Sequence, residues 1–177
     1  MENPLKDPII AGFKRLVLKV ASRHGIKVLS IVLYGSRAQG FSTSKSDYDF
    51  LIILGGKVSL LKFTRLSGEL RLLARRLDKE DKIKIYLNTL RNLQYLLKKD
   101  RFLGAFCYII FTTGKPIYDP EKTFEKIKGK LENLPARRKE AFLKACVEAS
   151  RKLGSKRWET FWKEKLKELK AYRGGLK

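Results

Sequence analysis

Hydrophobic and polar positions follow two different periods along this chain. After Asp7-Pro8, apolar residues recur every three or four positions as far as Gly25, and an aspartate followed by proline is typical of a helix start. Residues 28–34 form a nearly uncharged run rich in β-branched side chains, and residues 48–54 form a second apolar run that ends at Gly55-Gly56. Such runs predict central strands that are buried on both faces, so a helix and two strands are expected in the first 54 residues.

The pattern continues beyond the second strand. Apolar positions trace one face of a long helix over about residues 60–77, whose other face carries arginines. Strict alternation over residues 82–87 predicts a third strand, with Lys84 on its polar face. Asn88 or Thr89 can cap a helix that runs to about Lys99, and a very apolar helix is expected over residues 101–111.

A connector with two prolines, residues 115–120, marks the one internal boundary that the sequence indicates. Basic amphipathic helices are predicted beyond it, over residues 122–131, 136–153 and 156–172. We therefore predict an α/β (α+β) fold. Residues 1–115 form a small mixed sheet with flanking helices, and residues 116–177 form a basic helical C-terminal region.

Three aromatic residues of the last predicted helix, Trp158, Phe161 and Trp162, share one helix face between basic neighbours. Aromatic rings among basic side chains can stack on single-stranded bases. The same spacing is also typical of the inner surface of a helical hairpin, here against Phe142. The second interpretation is the one we favour.

The charge of the chain narrows its function. It carries 40 Lys and Arg against 18 Asp and Glu, a net charge of +22, and the excess is spread along the whole sequence. Such a field attracts polyanions, so nucleotides, RNA or DNA are expected ligands. A heat-adapted surface is the alternative, since Lys is abundant while Gln and Asn are scarce.

Other residue types limit the possible chemistry. His24 is the only histidine, which argues against a histidine base or a histidine zinc site. Cys107 and Cys146 lack metal-ligand spacing and are expected to be buried thiols, with a disulfide as the alternative. No apolar segment is long enough to span a membrane and the N-terminus lacks a signal-peptide layout, so a cytoplasmic protein is expected.

The loop between the first two strands carries the candidate chemistry. Gly35 has no Cβ, so the backbone N–H groups of Gly35-Ser36 can approach a phosphate closely, and Arg37 can add a charge. Asp47 and Asp49 lie two residues apart, so their carboxylates point to one side of a strand. Such a pair suits Mg²⁺ bound to a nucleoside triphosphate, although two solvated acids at a strand edge are the simpler alternative.

Gly35-Ser36-Arg37-Ala38-x-Gly40 followed by Ser46-Asp47-x-Asp49 resembles the signature of the minimal nucleotidyltransferases of the DNA polymerase β superfamily. The resemblance implies that fold, with Gly35 and Ser36 at the triphosphate and Asp47 and Asp49 as ligands of the magnesium ions. It also implies transfer of a nucleoside monophosphate from NTP to an acceptor, with release of pyrophosphate. Some members modify a partner toxin protein, and others act on RNA ends or small molecules.

The third strand departs from this family pattern. A third carboxylate is usual there, and it helps to bind a second metal ion and to take the proton of the attacking hydroxyl. Lys84 occupies the matching position. Either Asp78, Glu80 or Asp81 supplies the acid, or the enzyme works poorly, or the chain binds nucleotide or nucleic acid without turnover.

Overall fold

The computed structural model describes residues 6–99 and 101–174. The elements in chain order are α1 (Pro8–Arg23), β1 (Val28–Tyr34), α2 (Gly35–Gln39), β2 (Tyr48–Leu54), α3 (Leu60–Leu77), β3 (Ile83–Thr89), α4 (Leu90–Lys99), α5 (Arg101–Thr113), β4 (Lys115–Tyr118), α6 (Thr123–Glu132), α7 (Ala136–Lys152) and α8 (Lys156–Gly174). The predicted α/β fold with flanking helices is confirmed.

The sheet is mixed, with the strand order β3-β2-β1-β4. Strand β1 is antiparallel to both β2 and β4, whereas β2 and β3 are parallel. The end of β1 and the starts of β2 and β3 therefore lie at one edge of the sheet. At this edge Asp49 stands between Tyr34 of β1 and Lys84 of β3 in the register.

Alternate residues of the strands form a core with α1 and α3. The ring of Phe13 in α1 stacks on Phe50 of β2, with centroids 4.1 Å apart, and both rings are fully buried. Burial of one such ring contributes about 2–3 kcal/mol. Helix α1 begins where the sequence indicates, because the Asp7 carboxylate accepts hydrogen bonds from the backbone N–H groups of Ile9 and Ile10.

Strand β4 is the element that the sequence pattern did not predict. The segment expected to be a connector, residues 115–120, pairs instead with β1 through Lys115–Tyr118. Pro116 has no N–H group to donate to a ladder, yet it is tolerated here because β4 is an edge strand. The two prolines in these six residues made the sequence pattern indicate a connector where the structure has a short strand.

The chain divides into two compact units. The first holds the residues up to Asn92 together with Thr113–Lys126, and the second holds Leu93–Thr112 and the residues from Ile127 onward. The whole sheet and helices α1–α3 belong to the first unit. The expected domain boundary between residues 115 and 116 stays a prediction.

Within the second unit, α7 and α8 pack against each other. Trp158, Phe161 and Trp162 form an aromatic cluster in α8 with ring centroids 4.8 to 5.8 Å apart, and Trp162 is 2% exposed. This burial fits the helical-hairpin interpretation. Phe142 stacks on Tyr108, and its expected contact with the cluster stays a prediction.

Several smaller expectations can be compared with the structure. Cys107 and Cys146 are buried thiols and form no disulfide bond with each other. His24 lies at the end of α1, and its Nε2 atom is 2.7 Å from Oε2 of Glu69.

No helix in the described ranges is both long and apolar enough to cross a bilayer. Residues 1–5, which bear on the signal-peptide expectation, lie outside these ranges.

Candidate active site

Gly35 lies at the junction between β1 and α2 and directly faces Asp49. Its φ angle is +73°, a left-handed conformation that residues with a Cβ rarely adopt. A Cβ at this position would also collide with Oδ2 of Asp49. The Asp49 carboxylate can therefore occupy this position only because residue 35 is glycine. The short helix α2 begins at Gly35 itself.

The two predicted carboxylates differ in their surroundings. Asp47 is exposed in the turn before β2, whereas Asp49 lies within the strand and is largely buried. Burial, and then the negative charge of Asp47, raise the pKa of Asp49 from 3.8 to about 6, against the opposing charges of Lys84 and Arg37. The site therefore concentrates negative charge that a cation would relieve.

Arg37 fixes the loop that carries Asp47. Its Nη2 atom donates a hydrogen bond of 2.7 Å to the carbonyl oxygen of Ser46, and Nε reaches the carbonyl oxygens of Ser46 and Asp47 at 3.2 and 3.1 Å. Its guanidinium group also stacks on the ring of Tyr48, 3.7 Å from the centroid. The phosphate contact expected of Arg37 stays a prediction beside this positioning role.

Tyr48 links the loop to the start of α1. Its hydroxyl group donates a hydrogen bond of 3.0 Å to Oδ2 of Asp7, whose other oxygen caps the helix. Arg37, Tyr48 and Asp7 thus form one continuous set of contacts. Asp7 was predictable only as the start of a helix, and Tyr48 had no predicted role, because no periodicity predicts a contact between residues 41 positions apart.

The polar face of β3 continues the site. Tyr86 follows Lys84 on this face, and its hydroxyl oxygen accepts a hydrogen bond of 2.9 Å from Asn88. On β1, burial and the neighbouring Asp49 and Tyr86 raise the pKa of Tyr34 above its usual range, so its hydroxyl stays protonated. The period-two alternation that placed Lys84 on the polar face of the third strand was the signal from which Tyr86 and Asn88 could have been found.

The acids considered as a third ligand have other partners. The buried Asp78 carboxylate accepts hydrogen bonds from the backbone N–H groups of Glu80 and Lys82, at 3.2 and 2.7 Å. Glu80 forms an ion pair with Lys82, and Asp81 forms one with Arg75. Across residues 6–99 and 101–174, no group of three Asp, Glu, His or Cys side chains could hold a metal ion.

The donors at this edge fit one divalent cation. Asp47 and Asp49 offer carboxylate oxygens, the ligands that Mg²⁺ prefers, and Mg²⁺ usually keeps its remaining positions for water and substrate phosphates. Gly35 lies directly against the Asp49 carboxylate, so the loop backbone and this acid are adjacent. A second cation would have Lys84, and not a carboxylate, as its neighbour on β3.

Comparisons with known proteins identify the family of the chain. The family model for polymerase beta, nucleotidyltransferase, matches residues 17–123, which is more than half of the chain and includes β1, the Gly35 loop, β2 and β3. No curated protein matches the chain significantly.

Solved structures show similarity at low identity. One is the complex of tri-AMPylated Shewanella oneidensis HEPN toxin with MNT antitoxin, at 16% identity over 80% of this chain and 98% of that chain, with a TM-score of 0.46. Another is spectinomycin adenyltransferase AAD(9) from Enterococcus faecialis with ATP and spectinomycin, at 17% identity over 81% of this chain and 66% of that chain, with a TM-score of 0.49. The family assignment rests on the matched model: the chain belongs to the polymerase beta nucleotidyltransferase family.

Proposed function

We propose that this protein transfers a nucleoside monophosphate from an NTP to an acceptor and releases pyrophosphate. The acceptor is a protein, an RNA or a small molecule with a free hydroxyl group. Asp47 and Asp49 hold Mg²⁺, and Gly35, Ser36 and Arg37 bind the triphosphate.

One observation carries this proposal. The Asp49 carboxylate occupies the position that a side chain on residue 35 would take, so a phosphate-binding glycine and a metal-binding acid are adjacent. A structural turn needs glycine for its φ angle alone. It does not need a largely buried carboxylate with a pKa of about 6 beside that glycine. Both features follow if a cation and a phosphate bind together here.

The residues of the chain act by binding and orienting the substrate. The Gly35-Ser36 backbone lets the phosphates approach, and Arg37 keeps the Asp47 loop in place through its hydrogen bonds to Ser46 and Asp47. Bound Mg²⁺ would supply charge neutralisation and polarise the phosphate oxygens. In phosphoryl chemistry such positioning and charge stabilisation provide most of the catalysis.

A transfer assay tests the proposal. The protein is incubated with Mg²⁺, each of the four α-³²P-labelled NTPs, and a cell extract separated into protein, RNA and small-molecule fractions. Pyrophosphate release and label transfer are measured together, so that the labelled fraction identifies the acceptor class. Asp47→Ala combined with Asp49→Ala is expected to abolish both signals.

Glu80→Gln is the matched control, because Glu80 is an acid close to the same sheet edge that is exposed and paired with Lys82. This variant should keep full activity. Unchanged transfer in the Asp47/Asp49 double variant would refute the assignment of the site.

A second function is supported by Lys84, which stands beside Asp49 where a third acid is usual in the family. In this case the chain binds nucleotide or nucleic acid without turnover. Binding of RNA or DNA should then weaken steeply with salt, since each neutralised phosphate releases counterions. Affinity that does not change between about 50 and about 200 mM salt would exclude electrostatic binding of this kind.

A further inference from the structure

Lys84 is the charged group on β3 that lies next to Asp49. It is the register partner of Asp49 on the parallel neighbouring strand, so both side chains project from the same face of the sheet. Its Nζ atom donates a hydrogen bond of 2.7 Å to the carbonyl oxygen of Asp81, in the turn before β3. The ammonium group is therefore held at the edge where β2 and β3 begin.

The acids before β3 have partners of their own, and no group of three acids in the described residues could hold a metal ion. Asp78 is buried and holds the backbone of the turn, Glu80 is paired with Lys82, and Asp81 is paired with Arg75. A second divalent cation beside Asp49 would meet a fixed positive charge and no third acid. Repulsion therefore opposes a two-metal arrangement at this edge.

An ammonium group can nevertheless supply part of what a second cation supplies. It is a compact point charge with three N–H donors, and lysine binds phosphate oxygens well in this form. The Asp81 carbonyl accepts one of these hydrogen bonds, which leaves two donors for a ligand.

We propose that Lys84 takes the place of a second metal ion, so that the site binds one divalent cation and uses the Lys84 ammonium as its second positive charge on the nucleotide. This inference rests on the proposed function. In the transfer step the acceptor oxygen bonds to the α-phosphorus, and the bond from that phosphorus to the bridging oxygen breaks. Pyrophosphate leaves with the electron pair, and the acceptor proton passes to solvent. Lys84 donates hydrogen bonds to phosphate oxygens of the nucleotide, where the negative charge is concentrated.

Counting bound metal ions tests this proposal without turnover. The chain is saturated with the best-binding α,β-methylene analogue of ATP, GTP, CTP or UTP, and Mn²⁺ is titrated while free Mn²⁺ is followed by electron paramagnetic resonance. The wild type should bind one Mn²⁺ per protein–nucleotide complex. Lys84→Asp restores an acid and should bind two, and Lys84→Ala should bind one while losing roughly tenfold in nucleotide affinity.

Lys57→Asp is the charge-matched control, since Lys57 lies beyond the opposite end of β2, is exposed, and its substitution changes the net charge by the same amount. It should bind one Mn²⁺ and keep the wild-type nucleotide affinity. Two Mn²⁺ ions in the wild type, or one in Lys84→Asp, would overturn the inference and leave the proposed function standing. Absence of Mn²⁺-dependent nucleotide binding in the wild type would overturn both.

Discussion

Replacing Asp49 by asparagine should stabilise the metal-free protein while removing its proposed activity. Asp49 is a largely buried carboxyl group beside the charge of Asp47, and its pKa rises from 3.8 to about 6 for these two reasons. An asparagine side chain has nearly the same shape as the protonated acid but carries no charge at any pH. The substitution therefore removes the unfavourable burial of a negative charge.

The size of the effect follows from the pKa shift. The rise from 3.8 to about 6 is close to two units, and each unit corresponds to about 1.4 kcal/mol. Between these two pH values the folded state binds more protons than the unfolded state, so the stability of the wild type falls as the pH rises. Above the folded pKa the destabilisation is complete. At about pH 8 the unfolding free energy of Asp49→Asn should then exceed that of the wild type by about 2–3 kcal/mol. At about pH 3.5 the two free energies should be almost equal.

Urea unfolding followed by circular dichroism measures this difference. Both proteins are compared in EDTA across the same pH range, and the difference in unfolding free energy is plotted against pH. Asp47→Asn is the control: Asp47 is exposed and acts on Asp49 only through its charge, so its gain should be smaller. A difference between Asp49→Asn and wild type that does not change with pH would refute the reasoning, as would an equal gain from Asp47→Asn.

Two further substitutions test the supports of the site. Gly35→Ala should lower the unfolding free energy by about 1–3 kcal/mol and abolish binding of Mg²⁺-nucleotide, measured by calorimetry. The control is Gly40→Ala, since Gly40 also has a positive φ angle but faces open space, and this variant should keep the binding. Equal nucleotide affinity in both variants would contradict the close contact with Asp49. Asp7→Ala removes the cap of α1 and the partner of Tyr48, and should cost about 1–2 kcal/mol in urea unfolding; Tyr48→Phe, which leaves the cap, should cost less.

Local sequence patterns predicted most helices and strands of the fold, because each of these patterns has a single physical cause. The apolar runs of β1 and β2 need burial on both faces, and both strands have the bounds that the sequence indicated. The cap at Asp7 fixed the start of α1 in the same way. Strand β4 was missed because its pairing with β1 depends on tertiary position, and its proline is tolerated only at a sheet edge.

The site was predictable in composition but not in its contacts. The motif predicted a candidate site at Gly35, Asp47 and Asp49, and the structure brings Gly35 and Asp49 into contact. The roles of Asp78, Glu80 and Asp81 could not be predicted from the sequence, because they depend on hydrogen bonds and ion pairs in the turn before β3. For the same reason Arg37 was expected at a phosphate, while its observed contacts are to the loop carbonyls and to Tyr48.

The Asp7 carboxylate has two structural roles, because one oxygen caps α1 and the other holds the loop of the candidate site. One oxygen accepts hydrogen bonds from the first turn of α1, and the other holds Tyr48, on which Arg37 stacks. Substitution at position 7 therefore changes folding and loop position together, and neither property can be selected without the other. Among homologous sequences, positions 7, 37 and 48 should consequently vary as a group.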